Sequence, residues 1–242
     1  MGRVKQNKKS TFIDMTAMSD VTVLLLTFFM LTSTFLAKEP YQPTTPPSVS
    51  QKTMPLNNVT QILLTPEGRV YLTMTNDTSK AFSNDSMKRE LLQNMLNKYN
   101  ESPMGKANPV KQFTKAQEEA FVKLGAFGLP FKDMHEFLSM KPEEQDQWLS
   151  GKIPGKLAGI PIKAQTEAEK AAKRRNEFQL WIEAIAETSN DSLKQAISKG
   201  TGFALKADQN TSFEVVHMVM DNMQTIGKNK FTLVTTLKQE EQ

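Results

Sequence analysis

The sequence predicts a membrane-anchored α/β (α+β) protein, in which one N-terminal transmembrane helix precedes a small mixed β-sheet domain with a helical insertion. The first observation is an uncharged apolar run at residues 21–37, reading VTVLLLTFFMLTSTFLA. The second is the soluble character of the rest, since the chain as a whole has 23% charged residues and a mean hydropathy of −0.45. The 242 residues are enough for one or two domains.

Composition excludes several kinds of functional site. The chain has no cysteine, which rules out disulfides, thiolate metal sites and cysteine nucleophiles. Only two histidines occur, His135 and His217, so we expect no histidine-rich metal site. The net charge is +4 and the basic residues are scattered, so nucleic acid is not an expected partner. No Ser–His–Asp order, phosphate loop or carboxylate pair stands out, so we expect no enzyme activity and no cofactor.

Residues 15–37 form the predicted transmembrane helix. At 1.5 Å per residue the uncharged run covers roughly 25 Å, which is shorter than the ~30 Å hydrocarbon core of a bilayer. The bilayer should therefore draw in the preceding turn, including Asp20. This prediction places Asp20 inside the cytoplasmic third of the span.

Flanking charge predicts the orientation of the span. Only Lys38 follows it closely, beside Glu39, whereas four basic residues precede it: Arg3, Lys5, Lys8 and Lys9. The positive-inside rule makes residues 1–14 a cytoplasmic tail and places the rest of the chain outside. A cleaved signal peptide is the alternative, but Phe35 stands where a small residue is needed before cleavage after Ala37.

Polar side chains form a stripe along this helix. At about 100° per residue, four of them share one narrow face: Thr16, Asp20, Thr27 and Thr34. A polar seam with an acid suits a helix that packs against protein or water, and an intramembrane acid is a functional candidate. Alternatively, Ser19 and Asp20 cap the helix at the membrane surface and the threonines bond to their own backbone. From this segment alone both interpretations stay open.

The stretch IDMTAMSDV at residues 13–21, followed by LLLTFFM at residues 24–30, resembles the ExbD/TolR family. That family has an Asp-Met-Thr-Pro-Met-x-Asp-Val run that enters a Leu- and Phe-rich span. Its second aspartate, matched here by Asp20, is implicated in proton passage, so the resemblance implies that Asp20 is the proton carrier. Ala17 replaces the usual proline and Ser19 the usual apolar residue, but the acid is kept. The expected pore- or seam-facing supports are Thr16, Ser19, Thr27 and Thr34.

The resemblance also implies partners and a function. A multi-span ExbB/TolQ-like protein should form a ring around the helix, a second copy of the chain should make a homodimer, and a TonB-like or Tol-like periplasmic protein, or peptidoglycan, should lie downstream. The implied function is a proton-channel and energy-transducing subunit in the bacterial inner membrane that powers TonB-dependent outer-membrane transport. The alternatives are a TolR-like subunit of an envelope-integrity complex, a flagellar-type stator subunit, and a passive single-span anchor for a periplasmic adaptor domain.

Residues 38–56 are a predicted Pro-rich periplasmic linker, which is extended and poorly packed. The periplasmic α/β domain follows at residues 57–242. Its predicted strands and crossover helix are a hairpin at 59–64 and 69–72, a strand at 203–208, a helix at 212–227 and a strand at 231–236. The strands on either side of that helix should be parallel. These segments are similar to the family's periplasmic domain.

A helical insertion is expected at about residues 80–190, where the chain is longer than the family usually is. Its predicted helices are at 86–99, 114–124, 133–140, 142–149 and 166–188, with a Gly- and Pro-rich loop at 153–161. The last helix should bury a stripe of four side chains: Phe178, Trp181, Ile182 and Ile185. The insertion is interpreted as a docking or rigidifying addition.

Overall fold

The computed structural model describes residues 15–32, 43–48, 58–75, 84–163, 165–172, 174–234 and 236–237. The chain divides into two compact units, Met1–Leu36 and Ala37–Gln242.

The described element of the first unit is helix α1, Met15–Thr32. Residues 33–37, the end of the predicted span, lie outside the described residues, as does the predicted cytoplasmic tail. The apolar side chains of α1 are exposed within this unit. In the part of the chain that the structure describes, no helix combines the length and the apolar character needed to cross a membrane.

A five-stranded mixed sheet organises the second unit. Its strand order is β4-β3-β2-β5-β6, with β2 at Val59–Leu64, β3 at Val70–Thr75, β4 at Ala126–Phe127, β5 at Phe203–Ala207 and β6 at Thr232–Leu233. The central strand β2 pairs antiparallel with β3 and parallel with β5. Strand β4 is antiparallel to β3, and β6 is parallel to β5. The mixed α+β sheet, the hairpin and the parallel pair were all predicted and are confirmed.

The hairpin turn uses the residues that the sequence indicated. The Gly68 N–H donates to the Thr65 carbonyl at 2.9 Å, and Gly68 has a φ of 76°, a left-handed conformation that favours glycine. The Arg69 N–H donates to the Thr65 hydroxyl at 3.2 Å, which adds a side-chain hydrogen bond across the turn.

The C-terminal strand differs from its prediction. Instead of one strand at 231–236, β6 pairs with β5, and a separate strand β7, Thr236–Leu237, pairs in parallel with β1, Pro47–Ser48. The reason is that the linker supplies a second pairing partner, so the chain leaves β5 after the Val234 N–H has bonded to the Leu205 carbonyl at 2.9 Å. Between β5 and β6, helix α10 spans Phe213–Thr225, within one or two residues of its predicted bounds.

Eight helices lie between β3 and β5 in the described residues. They are α2 at Asn84–Glu101, α3 at Pro103–Ala107, α4 at Lys115–Lys123, α5 at Met134–Ser139, α6 at Pro142–Leu149, α7 at Glu167–Ala171, α8 at Glu177–Ala186 and α9 at Asp191–Lys199. A 3₁₀ turn, Phe131–Asp133, precedes α5. Four of the five predicted helices are confirmed, whereas α3, α9 and strand β4 were not predicted.

The predicted long helix at 166–188 is wrong. The chain breaks between α7 and α8, because Asn176 caps α8 with its side chain. Its Oδ1 accepts from the Gln179 N–H at 3.0 Å, and Gln179 Oε1 accepts from the Asn176 N–H at 3.1 Å. This reciprocal pair satisfies two N–H groups that a continuous helix would bond internally, so it stabilises a new helix start. The predicted buried stripe of α8 is confirmed, since all four side chains are fully buried.

The insertion and the sheet share one hydrophobic core. Side chains from the sheet, such as Ile62 and Leu72, belong to the same buried cluster as Met87 of α2 and Phe178 of α8. Trp181 lies among aromatic rings of the insertion, with ring centroids 4.8 Å from Phe127. The insertion is therefore part of the domain's core and not a separate module.

A buried amide network joins the insertion to α10. The Asn222 side chain donates to the Lys163 carbonyl at 3.2 Å and accepts from Asn176 Nδ2. Gln179 Nε2 donates to the Asn222 carbonyl at 3.0 Å. Buried amides that lose a partner are costly, so this network fixes how α10 sits against α8.

We therefore expect Asn222→Ala to lower the free energy of unfolding by about 2 kcal/mol, because Asn176 Nδ2 and the Lys163 carbonyl each lose a hydrogen bond to Asn222 and are left with the 3.4 Å bond between them. The measurement is urea unfolding of the full chain in detergent micelles, followed by the fluorescence of the buried Trp148 and Trp181. The control is Asn229→Ala, at an exposed position, which should change stability by less than about 0.5 kcal/mol. Equal effects of the two substitutions would contradict the role of the network.

Candidate functional site

Asp20 lies in the second turn of α1. The described helix begins at Met15, so Asp20 does not occupy the N-cap position. The neighbouring Ser19 hydroxyl donates to the Met15 carbonyl one turn earlier at 2.8 Å and caps no N–H. The interpretation of Ser19 and Asp20 as a helix cap therefore does not fit the geometry.

The hydroxyl groups of α1 bond to the helix backbone. Thr22 Oγ1 donates to the Ser19 carbonyl at 2.8 Å, and Thr27 Oγ1 donates to the Leu24 carbonyl at 3.0 Å. This part of the alternative interpretation agrees with the structure. A hydroxyl that donates in this way keeps its lone pairs, so Thr27 can still accept a hydrogen bond from water or from a protonated carboxyl.

The continuous helix puts Thr16, Asp20 and Thr27 on one face, as their spacing predicted. Ser19 points about 100° away from Asp20 around the helix axis. Thr34 lies outside the described residues. Of the five predicted site residues, the structure therefore brings three together on one face.

Exposed apolar side chains surround this polar face. Leu24 is 60% exposed and Phe29 is 64% exposed within the first unit. A helix that exposes so many large apolar side chains needs a lipid or protein surface to cover them. The carboxyl of Asp20 is therefore presented to whatever surface covers α1.

In the second unit, the linker makes specific contacts that the sequence did not reveal. The Thr44 N–H donates to Asp208 Oδ2 at 2.9 Å, and the Gln209 N–H donates to the Thr44 carbonyl at 2.8 Å. Asp208 is only 4% exposed, and its Oδ1 accepts from the Asn210 N–H at 2.9 Å. The prediction of a poorly packed tether is therefore wrong for residues 43–48. Asp208 directly follows β5, and no local sequence pattern predicted its contact with Thr44.

Two ionisable groups, the half-buried Lys88 and the buried Glu177, were also missed. Lys88 donates to the Val122 carbonyl at 2.8 Å and to the Leu124 carbonyl at 2.6 Å, where α4 ends. Burial lowers the pKa of this lysine. The second group is Glu177, the first residue of α8, whose Oε1 accepts from the Phe131 N–H. These contacts join segments that are far apart in sequence, so no local sequence pattern predicts them.

The pKa of Glu177 is raised to about 7, mainly because the carboxyl is buried. The Phe131 N–H lowers it, the Asp133 charge raises it further, and the Lys132 charge lowers it. A carboxyl with this pKa changes its charge near neutral pH without facing solvent.

Among the described residues, no group of three or more His, Cys, Asp or Glu side chains is placed to hold a metal ion. Trp181, which belongs to the predicted buried stripe, and Trp148 are both fully buried. His135 is half-buried near the start of α5.

These features define a class of protein with one N-terminal helix, a single acid among its exposed apolar side chains, and an α+β domain built on a mixed sheet. Residues 6–123 match the model of the family described as biopolymer transport protein ExbD/TolR. This match supports the assignment of the chain to the ExbD/TolR family. Searches of curated proteins and of solved structures gave no match.

The matched segment contains α1, the β2–β3 hairpin and helices α2 to α4. The match therefore reaches into the insertion. The C-terminal segments at 203–236, which also resemble the family's periplasmic domain, lie outside the matched residues. Family members are single-pass inner-membrane proteins without enzymatic activity, and they serve energy transduction in biopolymer transport. They associate with ExbB/TolQ and with TonB/TolA-type partners.

For the linker contact, we expect Asp208→Asn to release Thr44, because one of the two acceptor oxygens is replaced by an amide nitrogen. Hydrogen bonds to a charged group contribute about 1.5–3 kcal/mol, so the Thr44 amide should exchange roughly tenfold faster or more. Hydrogen exchange with mass spectrometry of peptides that cover residues 43–48 makes the measurement. Asp191→Asn, on the exposed first turn of α9, is the matched control. Unchanged exchange in Asp208→Asn would show that the contact does not hold the linker.

For the buried carboxyl, we expect Glu177→Gln to flatten the pH dependence of stability. The unfolded carboxyl has a pKa of 4.5 and the folded one about 7, so the folded chain keeps a proton that the unfolded chain has lost between these values. Stability therefore falls as pH rises through this window, by about 3 kcal/mol in total. The substituted glutamine side chain keeps an acceptor for the Phe131 N–H but carries no charge.

Urea unfolding of the full chain at pH 5 and pH 8 checks this prediction. Glu177→Gln should be more stable than wild type at pH 8, and the two should converge towards pH 5. Glu143→Gln, an exposed acid of α6, should leave the wild-type profile unchanged. Parallel profiles for wild type and Glu177→Gln would contradict the prediction.

Proposed function

We propose that this chain is the proton-carrying, energy-transducing subunit of an ExbB–ExbD-type inner-membrane complex that uses the proton motive force to power TonB-dependent outer-membrane transport. The observation that carries the proposal is Asp20, which lies inside α1 on the same face as Thr16 and Thr27. The ExbD/TolR match covers all three residues.

The free-energy cost of an ionised carboxyl in the membrane explains how Asp20 can carry a proton. An ionised carboxyl in the middle of a membrane helix costs about 2.5–3.5 kcal/mol on the insertion scale, so a dry site favours the protonated form. One proton that moves down the membrane potential releases about 2.3 kcal/mol per 100 mV. The two quantities are of similar size, so the potential can shift the balance between the two charge states of the carboxyl.

The change of charge provides the link to motion. The neutral and ionised forms of Asp20 prefer different surroundings, and an equilibrium shifts only as far as that preference allows. In the proposed complex, an ExbB/TolQ-like ring covers the exposed apolar side chains of α1. Two copies of the chain place two Asp20 carboxyls in the ring, and their alternating protonation rotates or rocks the helix pair. Thr27 and Thr34 accept hydrogen bonds along the seam, with Ser19 at its edge.

The proposed arrangement in the cell follows the charge of the sequence. Residues 1–14 form a cytoplasmic tail, residues 15–37 the membrane anchor, residues 38–56 the linker and residues 57–242 the periplasmic domain. That domain passes the motion to a TonB-like or Tol-like partner or to peptidoglycan. In the TolR-like alternative the same carboxyl works in an envelope-integrity complex, and only the downstream partner differs. The passive-anchor alternative gives the carboxyl no role.

The test is proton flux through liposomes that contain the chain with its ExbB/TolQ-like partner. We expect Asp20→Asn, which keeps the shape but not the titratable group, to reduce flux to the level of empty liposomes while the complex still assembles. Asp20→Glu is the matched control, because it keeps a carboxyl, and it should retain part of the flux. Full flux in Asp20→Asn supports the passive-anchor alternative and contradicts the proposal.

A further inference from the structure

A second candidate site lies in the helical insertion, far along the chain from Asp20. It is an open surface cavity of about 390 Å³ between the segment after α3 and the start of α5, and both of its lysines are exposed. Its lining includes Asn108, Val110, Lys111, Lys132 and His135. Two lysines and a histidine thus face one cavity whose lining contains no carboxylate.

The walls of the cavity are held in place by the fold. The side chain of Asn100 on α2 donates to the Val110 carbonyl and accepts from the Val110 N–H, both at 2.9 Å. This pair of bonds fixes the segment as a strand neighbour would. The backbone that presents Lys111 is therefore fixed before any ligand arrives.

His135 is positioned in the same way. Its Nε2 lies 2.8 Å from the Lys111 carbonyl, which can only accept, so Nε2 carries the hydrogen. Its ring stacks on Phe113 with a centroid distance of 4.3 Å and an interplanar angle of 18°. The stacking and the hydrogen bond leave Nδ1 as the ring's remaining polar atom.

Several lysines of the insertion form ion pairs with carboxylates. Lys98 pairs with Glu187 at 2.7 Å, Lys163 pairs with Glu169 at 2.9 Å, and Lys156 pairs with Glu136. Among the described residues, neither Lys111 nor Lys132 forms an ion pair of this kind. Their charge is therefore available to a ligand.

Two carboxyl groups lie near Lys132 and reduce the positive charge of its surroundings. Asp133 is its neighbour in the chain, and Glu177 reaches the same 3₁₀ turn from α8. Both compete with an anion for the positive charge. Burial keeps the pKa of Glu177 at about 7, so its charge is only partly present near neutral pH. The cavity therefore keeps a net positive lining.

We propose that this cavity binds a small organic or inorganic anion that carries a phosphate or carboxylate group, held by Lys111 and Lys132, with the His135 ring as one wall. Ammonium groups on a fixed backbone suit such oxyanions through charge-assisted hydrogen bonds. The volume accommodates a group of this size with part of the molecule that bears it. The proposal is independent of the proton-carrying role of Asp20.

The probes are inorganic phosphate and citrate, added to the full chain in detergent micelles and measured by isothermal titration calorimetry at constant ionic strength. We expect saturable binding to a single site. The probe that binds more tightly shows whether the cavity prefers a phosphate or a carboxylate group. The double variant Lys111→Gln/Lys132→Gln should weaken binding roughly tenfold or more, because two charge-assisted bonds are lost. The control Lys115→Gln/Lys194→Gln, with the same net charge at exposed positions, should bind as wild type does.

A second measurement keeps the proposal testable if the double variant fails to fold. In the wild-type chain the NMR signals of the His135 ring should shift with the same saturation curve, and His217→Gln assigns them, since the chain has only two histidines. Equal weakening in both double variants, unchanged His135 signals, or no saturation by either probe up to about 10 mM would overturn the proposal.

Discussion

The parallel pairing of β2 with β5 is the constraint on which the rest of the second unit depends. Strand β2 ends at Leu64 and β5 begins at Phe203, yet the two run side by side from the pair Thr60–Phe203 to the pair Leu64–Ala207. Parallel strands need a crossover connection, and here that connection is the β3 strand followed by the whole helical insertion. Loop-closure entropy grows only slowly with length, so a long insertion is tolerated if it packs. The insertion meets this condition because its helices share the core of the sheet.

The sequence predicted the elements whose signals are local. The hairpin around Gly68, the helix α4 and the amphipathic α10 all depend on residues a few positions apart, and each was predicted close to its observed bounds. Helix α4 begins with a capping box, in which the side chains of Thr114 and Gln117 each accept a hydrogen bond from the other's backbone N–H. The break before α8 was also locally encoded in Asn176 and Gln179, but good helix formers on both sides concealed it. The contact of Thr44 with Asp208 joins residues that only the folded sheet brings together, so sequence patterns could not predict it.

In the proposed function, the two units have distinct physical roles. Helix α1 would supply a carboxyl whose charge responds to the membrane potential, on a helix whose exposed apolar surface needs a partner. The second unit would supply the folded domain, in which the network around Asn222 joins α10 to α8 and Asp208 binds Thr44 of the linker. Motion of the anchor then reaches a partner through a linker whose described part is held against the domain.

The most direct test of the central claim is chemical labelling of Asp20 in the assembled complex. Dicyclohexylcarbodiimide reacts with protonated carboxyls in apolar surroundings, so it reports the state that the mechanism requires. Mass spectrometry should find the adduct on Asp20, and its amount should rise in step with the loss of proton flux and fall as the pH is raised. Loss of flux without an adduct on Asp20, or an adduct that leaves the flux intact, would contradict the account.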